Sequence, residues 1–174
     1  MNLYESQFEE SLDASEAYPP RKTVLIASTP RCGSHMLGHA MTATGRLGMP
    51  FEYANPANMS EWMRRLDTAT PEMTLARLIE KRTTPNGVFA IKAHFEHGVV
   101  FGEMAHLINA LPGELTVVHL RRADVLRQAV SFAVAKQTGV WIRGQEPDGQ
   151  TPRYDRDLVA HCLNEVAVQN ALWT

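Results

Sequence analysis

VLIASTPRCGSHMLGHAM, residues 24–41, is the stretch on which the reading of this chain turns. A short apolar run ends in a loop holding a proline, a glycine, two serines and one arginine, and helix-compatible residues follow. Residues 23–28 predict a buried strand, being short, apolar and supplied with β-formers. Residues 29–34 would then leave successive backbone N–H groups free at a helix N-terminus, where those groups and the helix dipole favour an anion. Gly33 allows close backbone approach, Ser34 can cap the helix or donate to an oxygen, and Arg31 can meet a phosphate or sulfate with a fork of donors. The loop lacks the Gly-Lys-Ser/Thr ending of a nucleotide-hydrolysing P-loop, because Ser34 follows Gly33 directly. Taken alone, it is equally compatible with a capped helix carrying a surface arginine.

Working outward, a helix over residues 34–44 stops at Gly45, and the Gly-, Pro- and Asn-rich stretch 45–60 predicts a loop. Two short helices are expected near 60–67 and 71–82. Asn86-Gly87 turns into a second strand, VFAIKA, and a helix near 102–111 meets the breaker Pro112-Gly113 before a third strand, LTVVHL. A helix over 124–138 with Gly139 behind it, a loop over 140–153 and an amphipathic segment over 156–173 complete the chain. Strands alternating with helices argue for a P-loop-like α/β three-layer sandwich, a central parallel sheet flanked by helices on both faces. In such sheets ligands sit beyond the carboxyl ends of the strands. Arg31, Glu52, Lys92 and Arg122 all fall just after or near such ends, so they are expected to converge.

In the helix after Arg121-Arg122, Val125, Ala129, Phe132 and Ala133 share one face and are expected in the core. Asp124, Gln128 and Ser131 share another face, small and polar, just after Arg122. Residues 1–20 form an acidic arm with no basic residue, in which Tyr4, Phe8 and Leu12 fall four apart. That stripe predicts either a helix docked on the body or on a partner, or a loosely held arm.

Whole-chain properties narrow the function. With 174 residues, 44% hydrophobic and 21% charged, the chain is long and apolar enough for one ordered domain, assigned to residues 21–174. A net charge of −2 argues against a general nucleic-acid binder. Two cysteines, Cys32 and Cys162, form neither a disulfide framework nor a zinc motif. The first twenty residues have no signal-peptide pattern, and no apolar run approaches the ~20 residues of a membrane span, so a cytoplasmic location is expected.

STPRCGSHML, MPFEY, TPNGVFAIK and RRADVLRQAVSFAVAKQTGVW, in that order, resemble the trehalose 2-sulfotransferase family, which includes lipopolysaccharide-type bacterial sulfotransferases. The resemblance covers about residues 22–143. It implies a sulfuryl donor, 3′-phosphoadenosine-5′-phosphosulfate (PAPS), an acceptor hydroxyl on a carbohydrate or glycolipid, no metal, and a homodimer. Pro30, Arg31, Cys32, Gly33, Ser34 and His35 would match the 5′-phosphosulfate loop, and Arg122 and Ser131 the 3′-phosphate site. Glu52 matches the family's proposed catalytic base. Lys92 would add charge near the sulfate or place the acceptor, with Tyr53 and Trp141 against the sugar and Arg143 a lesser candidate nearby.

The chain departs from the pattern in places. His35 stands where a small hydroxyl residue is usual and Cys32 where serine is common. Members usually continue past the last helix found here, which implies a domain shortened at its C-terminus. His35 with His39, and His94 with Glu96 and His97, are groupings of metal-ligand types, but a zinc site wants three convergent ligands and an open position, neither grouping has a family context for one, and the first lies in the anion loop. Two rival readings stand beside the transferase: a non-catalytic or impaired nucleotide-binding module, and a nucleotide kinase-like enzyme. The second is disfavoured because no lysine follows Gly33 and no magnesium-binding carboxylate follows a strand.

Overall fold

The computed structural model describes residues 4–142, 145, 149 and 151–174. Three parallel strands lie in the order β2-β1-β3: β1 Lys22–Ser28, β2 Val88–His94 and β3 Glu114–His119. Between β1 and β2 run α1 Ser34–Ala43, α2 Pro56–Leu66 and α3 Pro71–Arg82. A 3-10 segment Phe95–Phe101 and α4 Met104–Asn109 lead to β3, followed by α5 Val125–Thr138 and α6 Arg156–Leu172. Among the described residues no helix is long and apolar enough to cross a membrane.

Alternation along β1 makes this a layered α/β fold. Leu25 faces a cluster with Phe89, Ile91, Trp62 and Leu78, while Ile26 faces Met41 and Ala90 on the opposite side. β2 is buried along its whole length. Its outer edge is met by the 49–53 segment, where Phe51 bridges to Ile91 and its carbonyl accepts from Lys92 N–H at 3.0 Å. β3 is the exception to a sheet covered on both faces: it lies at the other edge, with Val117 50% and Val118 38% exposed. Val125, expected in the core, is also exposed, whereas Ala129, Phe132 and Ala133 pack against Cys162 and Val166 of α6.

Two caps sharpen the helices near the site. Asn55 Oδ1 accepts from the N–H groups of Ala57 and Asn58 with Pro56 behind it, so α2 starts four residues earlier than expected and shortens the predicted loop. Thr70 and Pro71 open α3 in the same way. Gly48 marks a close approach: at φ 75°, a Cβ there would stand 2.5 Å from the Ala90 Cβ on β2.

The acidic arm docks on the body. It does so as two short 3-10 turns, Glu5–Phe8 and Glu10–Leu12, because so short a run cannot hold an isolated α-helix. Phe8 is buried 4.8 Å from the Trp62 ring, with the Arg65 guanidinium over its outer face. Asp13 pairs with Lys81 at 2.7 Å and with the fully buried Arg82 at 2.9 Å, and Arg82 also donates to the Glu9 carbonyl.

Candidate active site

Beyond the carboxyl ends of β1 and β2 opens a cavity of about 920 Å³. Residues 29–33 turn sharply out of β1. Arg31 takes a left-handed backbone at φ 64° and Gly33 follows at φ 100° as the N-cap of α1. A non-glycine residue in that region carries a steric cost of about 1–2 kcal/mol, so contacts elsewhere must hold it there. Gln128, fully buried on α5, supplies them: its amide nitrogen donates to Thr29 Oγ1 at 2.9 Å and to the Pro30 carbonyl at 2.7 Å. Ser34 is buried as the first residue of α1, and the amides of that first turn have no intrahelical acceptor.

Arg31 lies across the cavity floor. Its Nε donates to Ser131 Oγ at 3.0 Å and its Nη1 to the Trp141 carbonyl, while Arg122 Nη1 donates to the Arg31 carbonyl at 3.3 Å. Burial, with the Arg122 charge beside it, lowers the Arg31 pKa from its ordinary value. Among the described residues neither guanidinium has a carboxylate partner. Two half-buried cations, the first-turn amides of α1 and two serines thus face one space, and among the described residues no carboxylate pairs with either cation.

Glu52 and Lys92 form the facing wall. Lys92, 5% exposed, places Nζ 3.0 Å from Glu52 Oε1, and His94 Nε2 lies 3.8 Å from the same oxygen. Burial alone would push the Glu52 carboxyl up. The opposing charges of Lys92, then His94 and His97, together with the Lys92 hydrogen bond, instead hold it well below the usual carboxylate range. Glu52 remains a quarter exposed, through the cavity. Ligand atoms of Glu52, His94 and His97 lie within 4.8 Å of one another, a spacing a cation could use. The donor set does not suit one. The His94 backbone N–H donates to His97 Nδ1 at 3.2 Å, which leaves the ring proton on Nε2, and the Lys92 ammonium already stands against Glu52.

Pro30, Arg31, Cys32, Gly33, Ser34, His35, Glu52, Lys92, Arg122, Ser131 and Trp141 all line this one cavity. Their convergence from four separate stretches is what the strand-end argument anticipated. His35 is half-buried at the rim, Nε2 2.9 Å from His39 Nε2, with the Tyr4 ring edge-on at 4.9 Å. Burial and the nearby Lys92 push its pKa down to about 4, so it adds no charge at neutral pH. Tyr53 requires correction. It is wholly buried beside Phe89 and Trp62, its hydroxyl donates to the Met49 carbonyl at 2.8 Å, and it does not line the cavity. The chain turns at this point, the Asn55 N–H donating to the Glu52 carbonyl at 3.0 Å, and the turn carries the Tyr53 ring into the core while Glu52 faces the cavity. Arg143 lies outside the described residues.

Three contributors were not anticipated. Gln128 was noted only for its polar face, yet it clamps the loop. Asn58 donates its amide to the Glu52 carbonyl at 3.0 Å and fixes the backbone that carries the carboxylate. The arm reaches the cavity through Tyr4 and Gln7. Only Asn58 left a readable trace, the Asn-Pro helix start at residues 55–56.

Comparison with known proteins agrees with this geometry. The chain is 28% identical over 188 residues, 86% of its length and 70% of the relative's, to the trehalose 2-sulfotransferase of Mycobacterium tuberculosis (strain ATCC 35801 / TMC 107 / Erdman). It is 26% identical, with the same coverage, to the trehalose 2-sulfotransferase of Mycolicibacterium smegmatis (strain ATCC 700084 / mc(2)155). The Stf0 sulphotransferase family model matches residues 23–174, nearly the whole chain from β1 onward, and the protein belongs to that family.

Proposed function

We propose that this protein transfers a sulfuryl group from PAPS to a hydroxyl of a carbohydrate or glycolipid, with residues 21–174 as the transferase domain. The observation that carries the reading is the pair of half-buried guanidiniums, Arg31 and Arg122, left without a carboxylate among the described residues and backed by the first-turn amides of α1. That donor set suits a doubly phosphorylated anion. In the reaction the acceptor oxygen bonds the donor's sulfur as the sulfur–oxygen bond to the 5′-phosphate breaks.

Each residue then has a task that needs no metal. Arg31 and the amides at residues 33–35 stabilise negative charge gathering on the departing 5′-phosphate. Arg122 and Ser131 hold the 3′-phosphate beside it. Glu52 accepts the proton of the acceptor hydroxyl, for which it must be freed from Lys92. A sulfonate placed against Lys92 would draw the ammonium away and make the carboxylate more basic, so donor binding prepares the base. Trp141, whose ring meets Phe132 at 5.9 Å, offers an apolar face to a sugar ring.

The reading is tested by melting the purified protein with adenosine 3′,5′-bisphosphate and with ADP. At about a hundredfold over Kd, ligand adds about 2.7 kcal/mol, or roughly 5–11 °C for a chain of this size. A shift with the bisphosphate alone is expected. An equal shift with ADP would return the site to a kinase-like enzyme, and no shift with either would remove the donor assignment. Sulfated trehalose, detected by mass spectrometry after incubation with PAPS, tests the transfer itself.

A further inference from the structure

We propose that Asn55 and His97 form a subsite for one hydroxyl of the acceptor, beside Glu52, and that Gln7 of the N-terminal arm completes it; the proposal rests on the transferase reading above. Asn55 Nδ2 and His97 Nε2 face each other at 3.4 Å on the cavity wall. Hydrogen-bond bookkeeping makes both of them donors. Asn55 Oδ1 is used twice as the cap of α2, accepting from Ala57 and Asn58 N–H at 3.1 and 3.4 Å, which turns the amide NH2 toward His97. His97 Nδ1 accepts from the His94 backbone N–H, so the proton of the neutral ring is on Nε2. Burial, then the neighbouring His94 and Lys92, keep that ring neutral, its pKa pushed down to about 3 despite Glu52.

Two N–H donors therefore confront one another with no acceptor between them, a costly arrangement in a buried place. A hydroxyl oxygen answers it, having two lone pairs for the two donors and one proton left to give. Acceptors for that proton are at hand. A Glu52 carboxylate oxygen lies within 4.8 Å of a His97 ring nitrogen. Gln7, 2% exposed on the cavity wall, carries a side-chain oxygen with no hydrogen-bond donor among the described residues. The arm is fixed to α2 by the Phe8–Trp62 contact, so Gln7 and the Asn55 cap belong to two elements packed on each other. The group that suits two fixed donors, and an acceptor without a donor on the wall of the same cavity, is the hydroxyl of a polyol or sugar. A sulfate or a dianionic phosphate monoester, negatively charged and with no proton to give, would meet the Gln7 oxygen and the Glu52 carboxylate as rivals.

Asn55→Asp tests this cleanly. The carboxylate keeps the helix cap, which aspartate fills as well as asparagine, but it replaces the NH2 donor with an acceptor that His97 Nε2–H can satisfy within the protein. Gln7→Met, close in volume, removes the orphaned oxygen. Sugar binding is measured by calorimetry on protein saturated with adenosine 3′,5′-bisphosphate, using trehalose, maltose, sucrose and glucose and following the tightest. Both variants should melt no lower than the wild type and bind the bisphosphate unchanged, while the sugar Kd rises at least about fivefold, the loss expected for one net hydrogen bond. An unchanged sugar Kd in Asn55→Asp would overturn the subsite. So would a wild type that binds the bisphosphate but none of the four sugars, leaving the donor reading intact. Failure to bind the bisphosphate would remove the underlying transferase reading, and the subsite with it.

Discussion

Replacing Lys92 by methionine isolates the charge that governs Glu52. Methionine keeps most of the stem volume, so the change leaves little cavity and removes chiefly the ammonium 3.0 Å from Glu52 Oε1. At an effective dielectric of about 20 that attraction is about 5 kcal/mol, and breaking a buried pair from one side costs about 3–5 kcal/mol. Because Glu52 is a quarter exposed, the lower end applies, about 3 kcal/mol at pH 7. For a chain of 174 residues this is a fall in Tm of about 6–12 °C. The pH dependence carries the sharper test. In the wild type the Glu52 carboxyl is held below its ordinary value of 4.5, so the stability it confers is fully present above that pH and is lost only as pH falls further. In the variant, burial acts without the lysine to oppose it and raises the carboxyl. A proton then enters the folded state as pH falls from 7 to 5, on Glu52 or on His94, which faces the same oxygen at 3.8 Å. The gap between the two proteins should narrow by about 1.4 kcal/mol for each pH unit over which that proton is bound. Melting curves at pH 7 and pH 5 decide it. A gap of equal size at both would mean that the lysine matters through packing, and the account of a charge-held base would fail.

Three further expectations concern the same walls. Glu52→Gln should lower kcat by about 10²–10⁴-fold while leaving bisphosphate affinity unchanged; full turnover would remove Glu52 as the base. Arg31→Lys loses the fork that reaches Ser131 and the Trp141 carbonyl, and should weaken bisphosphate binding by about 10–100-fold in calorimetry, with unchanged binding placing the phosphate elsewhere. Gly48→Ala forces a Cβ to 2.5 Å from Ala90 Cβ at a left-handed backbone position, so denaturant unfolding should show a loss of about 2–4 kcal/mol; a neutral result would mean that the 49–53 segment moves off β2 freely.

The parts of this fold that announced themselves in sequence were those governed by local rules. The apolar run before Thr29, the glycine behind α1 and the Asn86-Gly87 turn each act through neighbours in the chain, and the structure follows them. Arg31, Lys92 and Arg122 were legible because strand ends in a parallel sheet share one side, which turns position along the chain into position in space. Tyr53 is adjacent to Glu52 in the chain but not in the cavity, because the turn at residues 52–55 carries its ring into the core, and the direction of a side chain in a turn is not legible from sequence. The exposure of β3 and Val125 depends on strand order, which hydrophobic pattern does not encode. Gln128 escaped because its partners, Thr29 and Pro30, lie about a hundred residues earlier and nothing in its own surroundings marks it. The two histidines of HFEH looked like ligands by composition, and only the backbone N–H at His97 Nδ1 reveals His97 as a donor.

The N-terminal arm and the turn after α6 run to the same strand end. Tyr4 lies on the cavity rim against His39, and at the far end the Trp173 indole N–H donates to the carbonyl of Ser28, the last residue before the anion-binding loop. Fusion partners are therefore not neutral handles on this protein. A tag upstream of Tyr4 hangs from the arm that carries Gln7, and a segment inserted directly after α6 pulls on the tryptophan that pins β1. The exposed turn between α2 and α3, at Ala69, touches neither anchor and does not line the cavity, which makes it the better place for a dye or an epitope when binding is to be measured.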